Sequence, residues 1–243
     1  MNWKKAVAGV LTVGMLVGGM LVGFNVFGNT ERVFATTSDG PERVWDYYST
    51  SDPSRPGTDI DEYLYVVIHS PGHANSGTAN MEWWDAKRNR DYFEGGHTAL
   101  GYHTSVDWDE IRRAVPYDER ANHAGTYSPP YNVNDKSIGL SIMDVGAEGS
   151  EYKQYLAIRN AIIETEYILK WCFKPYGEID YDKVFDHVIS HKEITEKYST
   201  PSQKTDPYDI FDRINYDMDL FRIDILNYHY NGTTPNLDYR MGF

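Results

Sequence analysis

The fold turns on three stretches: SIGLSIMD at residues 137–144, the run over residues 151–171, and DHVISH at residues 186–191. The first alternates apolar with small residues, the pattern of a sheet strand packed on one face. In the second, Tyr155, Ile158, Ile162, Tyr167 and Ile168 recur near helical spacing, which gives a helix one apolar stripe. The third returns to a short apolar run and ends on His191. A strand, a long helix and a strand in that order make a crossover unit, which predicts parallel pairing of the two strands.

Further strands lie upstream. YLYVVIHS at residues 63–70 is β-branched and aromatic, reads as a buried strand, and is broken by Pro71-Gly72. Residues 101–107 and 111–116 read as two strands of a hairpin with a polar turn between them. Residues 78–94 have helical composition, stopped by Gly95-Gly96. A last helical segment, rich in Asp and aromatics, covers residues 208–228. Residues 36–58 are polar, contain Ser54-Arg55-Pro56-Gly57, and read as a linker into the domain. No internal repeat or low-complexity tract is visible. The expectation is a single α/β domain, a mixed central β-sheet flanked by α-helices, with function at strand ends.

Bulk properties agree. A length of 243 residues suits one domain with accessories, and 41% hydrophobic with 14% aromatic content supplies a real core. The formal net charge is −13, and Lys4, Lys5 and Arg32 against a single Glu31 at the N-terminus leave the remainder more acidic still. Such a body repels phosphates, and no Lys/Arg-rich patch compensates, so nucleic acid is excluded as a partner. Lys4 and Lys5 precede an uncharged, mostly apolar run over residues 6–27, and Val33-Phe34-Ala35 offers a cleavage site. Residues 1–35 therefore read as a secretory signal peptide, with an uncleaved membrane anchor as the alternative; both put the body outside the cytoplasm. The lone cysteine, Cys172, excludes an intrachain disulfide and reads as a small buried hydrophobe.

Two apolar runs close on a histidine, at His69 and at His191. Asp206 follows His191 by fifteen residues, with Lys204 two positions before it. All three of His69, His191 and Asp206 are metal-ligand types, but the spacing alone is uninformative.

The ordered motifs VVIHS, GYHTSVD, RRAVPYDERANHAG, SIGLSI, VISHKEI and KTDP resemble those of the zinc-dependent N-acetylmuramoyl-L-alanine amidases of the peptidoglycan recognition protein superfamily. SRPGT upstream is similar to the lead-in of the cell-wall and phage-endolysin branch. The resemblance runs from about Arg55 to Asp209 and leaves residues 210–243 as a C-terminal helical extension of a catalytic domain at 59–209. It implies a Zn2+ ion held by His69, His191 and Asp206, a peptidoglycan substrate, and cleavage of the bond between N-acetylmuramic acid and L-alanine. Two neutral imidazoles and one carboxylate leave a fourth tetrahedral position open, as in catalytic zinc sites. Lys204 matches the family lysine that steadies the oxyanion.

One departure stands out. Where many members carry a glutamate general base, this chain has Ser141, which cannot take a proton near neutral pH. Members that lack the glutamate use a tyrosine and the lysine, which assigns catalysis here to Tyr102 and Lys204. Asp144 is offset by three residues and falls on the opposite sheet face. His123, in NHAG, is assigned to substrate contact, with direct metal ligation as the runner-up. His103 is assigned to the core, and His187 and His191, on one face of a strand about 13 Å apart, cannot share an ion. A related non-catalytic module that only binds muropeptides is the alternative function. Oligomeric state is not readable.

Overall fold

A computed structural model describes residues 40–71, 85–94, 99–125, 132–144, 151–198 and 204–233. Six strands form one mixed sheet: β1 (Glu42–Trp45), β2 (Tyr65–His69), β3 (Thr104–Val106), β4 (Glu110–Arg113), β5 (Ser137–Ile142) and β6 (Val188–Ser190), in the order β1-β4-β3-β5-β2-β6. Only the β3–β4 hairpin is antiparallel; β5, β2 and β6 run parallel. β2 lies between β5 and β6, so the two strands joined through α2 share a direction without the direct pairing expected of them. The helices are α1 (Ala86–Phe93), α2 (Glu151–Trp171), α3 (Tyr181–His187), α4 (His191–Lys197), α5 (Tyr208–Phe211) and α6 (Met218–Asn231). The expected mixed sheet flanked by helices is the architecture found.

Strand periodicity sorts the side chains into two faces. On one, Val66 and Ile68 of β2 and Ile138, Leu140 and Ile142 of β5 pack on Ile158 and Ile162 of α2 and on Phe221 and Ile225 of α6. On the other, Tyr65 and Val67 pack with Ala124, Val133, Ile189 and Ile194. His69 follows Val67 by two and so ends β2 on this second face. β5 was expected to bury one face; all six residues are buried. Ser137, Gly139 and Ser141 are small because the second face is covered by the rings of the site.

Strand ends shift by a few residues, and four departures from expectation are larger. Residues 36–58 are not simply a linker, because residues 42–45 form edge strand β1, parallel to β4. Arg43 reaches the fully buried Glu164 of α2 at 2.6 Å, and Arg113 of β4 reaches the same carboxylate at 2.7 Å. Helix α1 begins at Ala86, capped by the Asp85 side chain; residues 78–84 lie outside the described residues. The segment 208–228 is two helices, α5 and α6, separated by Asn215 in the left-handed conformation (φ 51°) and restarted by the Asp217 cap. DHVISH is not one strand. Asp186 and His187 end α3, only residues 188–190 are strand, and His191 opens α4. The capping box explains it: Ser190 Oγ accepts from the Glu193 backbone N–H while Glu193 accepts from the Ser190 backbone N–H.

The proposed leader, residues 1–35, lies outside the described residues, and no described helix is long and apolar enough to cross a membrane. Cys172 is half-buried, and burial pushes its thiol up to about 12, which leaves it unreactive.

Candidate metal centre

Three elements converge on one point. His69 comes from the end of β2, His191 from the first turn of α4, and Asp206 from the loop before α5. Asp206 Oδ2 lies 3.0 Å from His69 Nδ1 and 3.2 Å from His191 Nδ1. One ligand atom from each of the three residues falls within 4.8 Å of the others, making a group able to hold a metal ion. Tetrahedral zinc with bonds of 2.0–2.1 Å sets its ligand atoms about 3.3 Å apart, so the donor set fits that ion. The peptide bond between Asp206 and Pro207 is cis.

The protonation states suit a cation. Burial holds the His69 imidazole down to about 4, so it is neutral at pH 7 with a lone pair to offer. Burial acts to raise the Asp206 carboxyl, but hydrogen bonds from His191 and His69 outweigh it and keep it ionised. The backbone of Asp206 is fixed as well: its carbonyl accepts from the Lys192 N–H of α4 at 3.2 Å.

Behind His69 stands His123. His69 Nε2 is 3.0 Å from His123 Nδ1, and His123 Nε2 is 3.3 Å from the Ser137 carbonyl and 3.2 Å from Ser137 Oγ. If His69 Nδ1 faces a cation, its proton sits on Nε2 and is donated to His123 Nδ1. The His123 proton then sits on Nε2 and is donated to Ser137. Both nitrogens of His123 are thereby used, so neither the substrate contact nor the direct ligation expected of this residue is open to a ring nitrogen. It lines the cleft by its ring and backs His69. This placement requires Gly139: an added Cβ would fall 2.4 Å from His123 Cγ. Gly139→Ala is therefore expected to push the ring off the sheet and cost about 1–3 kcal/mol, read as a lowered urea midpoint.

His103 is the core histidine that its strand position predicts. Its Nε2–H donates to the Glu119 carbonyl at 2.8 Å, and Nδ1 accepts from the Gly139 N–H at 2.9 Å. Burial depresses it from 6.5 to about 4. Between those values the unfolded chain binds more protons than the folded one, so stability is full above pH 6.5 and is lost as pH falls towards 4. In chelator-treated protein, His103 alone should cost about 2 kcal/mol by pH 5. The drop in urea midpoint from pH 7 to pH 5 should be smaller in His103→Gln. His187 is not near the site: its Nδ1–H donates to the Leu64 carbonyl at 2.8 Å, and its ring packs on Tyr176. It cannot share an ion with His191, though the reason is a helix end and not a common strand face.

A cleft of about 140 Å3 opens over the centre, lined by Ser70, Phe93, Leu100, Tyr102, Asn122 and Lys204 together with His191 and Asp206. The Tyr102 ring packs on His69 (centroids 5.0 Å apart) and edge-on to Phe93. Burial raises its hydroxyl above the usual range, so it remains protonated and has a proton to donate. Ser141, in the register position opposite His69, is fully buried and meets the Tyr102 hydroxyl with its side chain. Asp144 is buried on an ion pair with Arg213 at 2.5 Å and is turned away from this chemistry.

Residues 60–209 match the family described as N-acetylmuramoyl-L-alanine amidase. Among curated proteins, the 1,6-anhydro-N-acetylmuramyl-L-alanine amidase AmpD of Citrobacter freundii is 30% identical over 128 residues, half of this chain and 58% of that protein. AmpD of Salmonella typhimurium is 28% identical over 127 residues, half of this chain and 57% of that protein. The chain thus spans a little over half the length of these relatives. Among solved structures, the PlyG catalytic domain superposes with TM-score 0.57 at 16% identity, covering 80% of this chain and 99% of that one. The Staphylococcus aureus hydrolase AmiA, solved with its ligand, gives TM-score 0.57 at 19% identity over 84% and 86%. The catalytic domain of XlyA gives 0.54 at 22% over 76% and 99%. At these identities the structural likeness speaks for the fold.

Proposed function

The chain belongs to the N-acetylmuramoyl-L-alanine amidase family, and from that premise we propose that it is an exported zinc hydrolase of peptidoglycan. The bond cut is the amide between the lactyl group of N-acetylmuramic acid and L-alanine of the stem peptide. The observation that carries this reading is the convergence of His69 Nδ1 and His191 Nδ1 on Asp206 Oδ2, beside an open cleft that His191 and Asp206 line. Export rests on the basic and apolar pattern of residues 1–35, in cleaved or anchored form.

Zinc, when bound by the three residues, supplies Lewis acidity and lowers the pKa of a coordinated water. The chain's own residues do the rest. Lys204, at the cleft, places an ammonium where negative charge develops on the amide oxygen. Tyr102 donates a hydrogen bond from its protonated hydroxyl. Phe93 and Leu100 form an apolar wall that excludes water from one side of the scissile bond. His123 holds His69 in the tautomer that presents Nδ1. An acidic body gains little from bulk attraction to an anionic wall, so affinity is assigned to the cleft.

The test is digestion of purified peptidoglycan by the zinc-loaded full chain, followed by labelling of new amino termini. Released stem peptides beginning with L-alanine support the reading. Binding to the polymer without new termini would overturn it in favour of a muropeptide-binding module.

A further inference from the structure

We propose that Arg222, on a helix beyond the family match, is a positioning residue for the metal centre. The proposal rests on the zinc reading of His69, His191 and Asp206. The first turn of α4 is where two of those ligands are set: His191 is its first residue, and the Lys192 N–H holds the Asp206 carbonyl at 3.2 Å. That turn is defined by the capping box of Ser190 and Glu193. Glu193 Oε2 accepts from Ser190 N–H at 2.7 Å and from Ser190 Oγ at 2.8 Å.

Arg222 closes on this box from α6. Its Nη2 lies 2.9 and 2.8 Å from the two carboxylate oxygens of Glu193, and its Nε–H donates to the Val188 carbonyl of β6 at 2.9 Å. One planar guanidinium therefore ties the strand before the ligand to the cap after it, with His191 between them. The residue is 6% exposed. Its other ion-pair partner, Asp219, is 73% exposed and fixes little, while the guanidinium also lies over the Phe185 ring, 5.5 Å from its centroid. A part-buried ion pair, here with the Glu193 side chain 28% exposed, is a poor device for stability alone. It is a good device for holding one geometry, because the fork admits one plane. The family match stops at residue 209, yet Phe221 and Ile225 of the same helix are fully buried in the main core. The so-called extension thus has a rigid seat from which to act.

The experiment measures zinc affinity of the full chain by competition with a chromophoric chelator, below the unfolding transition, with the visible spectrum of the cobalt-substituted protein alongside. Arg222→Met should bind zinc about 10–100-fold more weakly and show a changed cobalt spectrum. Arg222→Lys should recover part of the loss. Ile225→Val, a packing change on the same helix, should stay within about twofold of wild type, since it leaves the fork and the capping box untouched. Wild-type affinity and spectrum in Arg222→Met, or an equal loss in Ile225→Val, overturns the proposal. Should Arg222→Met fail to fold, Glu193→Gln is read the same way: weakened zinc supports the clamp and unchanged zinc overturns it. A wild type that binds no zinc overturns the metal reading beneath, and the two failures are thereby told apart.

Discussion

Asp206→Ala is expected to abolish turnover, with release of L-alanine termini from peptidoglycan reduced on the order of 10^3-fold or more. The carboxylate is the single anionic member of the donor set, and its Oδ2 is the atom on which both imidazoles converge. Without it, two neutral imidazoles face a divalent cation, and a Lewis acid worth several kcal/mol of transition-state stabilisation is lost or misplaced. The fold should survive, because Asp206 lies in a loop and its backbone contact to Lys192 does not use the side chain. Circular dichroism and the urea midpoint check that the loss belongs to the site. Full activity in a folded Asp206→Ala protein would remove zinc from the account.

The second large effect is at Lys204. Lys204→Ala should lower kcat on the order of 10^2-fold, about 2.7 kcal/mol, while KM for a soluble muramyl peptide changes little. The split is diagnostic: an ammonium that meets charge present only in the transition state acts on kcat. Lys204 is exposed in the free protein, so its contribution is realised when substrate fills the cleft and displaces water. Tyr102→Phe keeps the ring against His69 and Phe93 and removes only the hydroxyl donor. About tenfold is expected there, one hydrogen bond being at stake. Losses below tenfold in both variants would sink the assignment of this pair.

Much of the fold could be read in advance because its central elements obey simple periods. β5 alternates, β2 is a continuous apolar run broken by Pro71-Gly72, and α2 carries one apolar stripe. The shared direction of β5 and β6 and the strand-end position of His69 followed, while the place of β2 between those two strands did not. The elements missed are those whose pairing is decided elsewhere. The sequence ERVW of β1 has no apolar alternation; it is a strand because β4 offers an edge and Glu164 offers a buried partner for Arg43. His191 sits on a helix and not on a strand, and the local signal was present in S-H-K-E, a capping box spanning residues 190–193.

The site was legible as residue types and less so as roles. His69, His191 and Asp206 are brought together as the resemblance implies, and Lys204 and Tyr102 line the same cleft. The place of His123 was not foreseen. Gly139 inside a strand was the available hint, since an interior strand glycine marks a close approach by another group. Nothing local announces Arg222, because its meaning depends on a contact 29 residues distant in sequence.

The most direct measurement is an anomalous difference map recorded at the zinc edge from crystals of the zinc-loaded protein. One peak within bonding distance of His69 Nδ1, His191 Nδ1 and Asp206 Oδ2 is the predicted result. A zinc peak elsewhere, or none at this centre in crystals that have been shown to contain the metal, would contradict it.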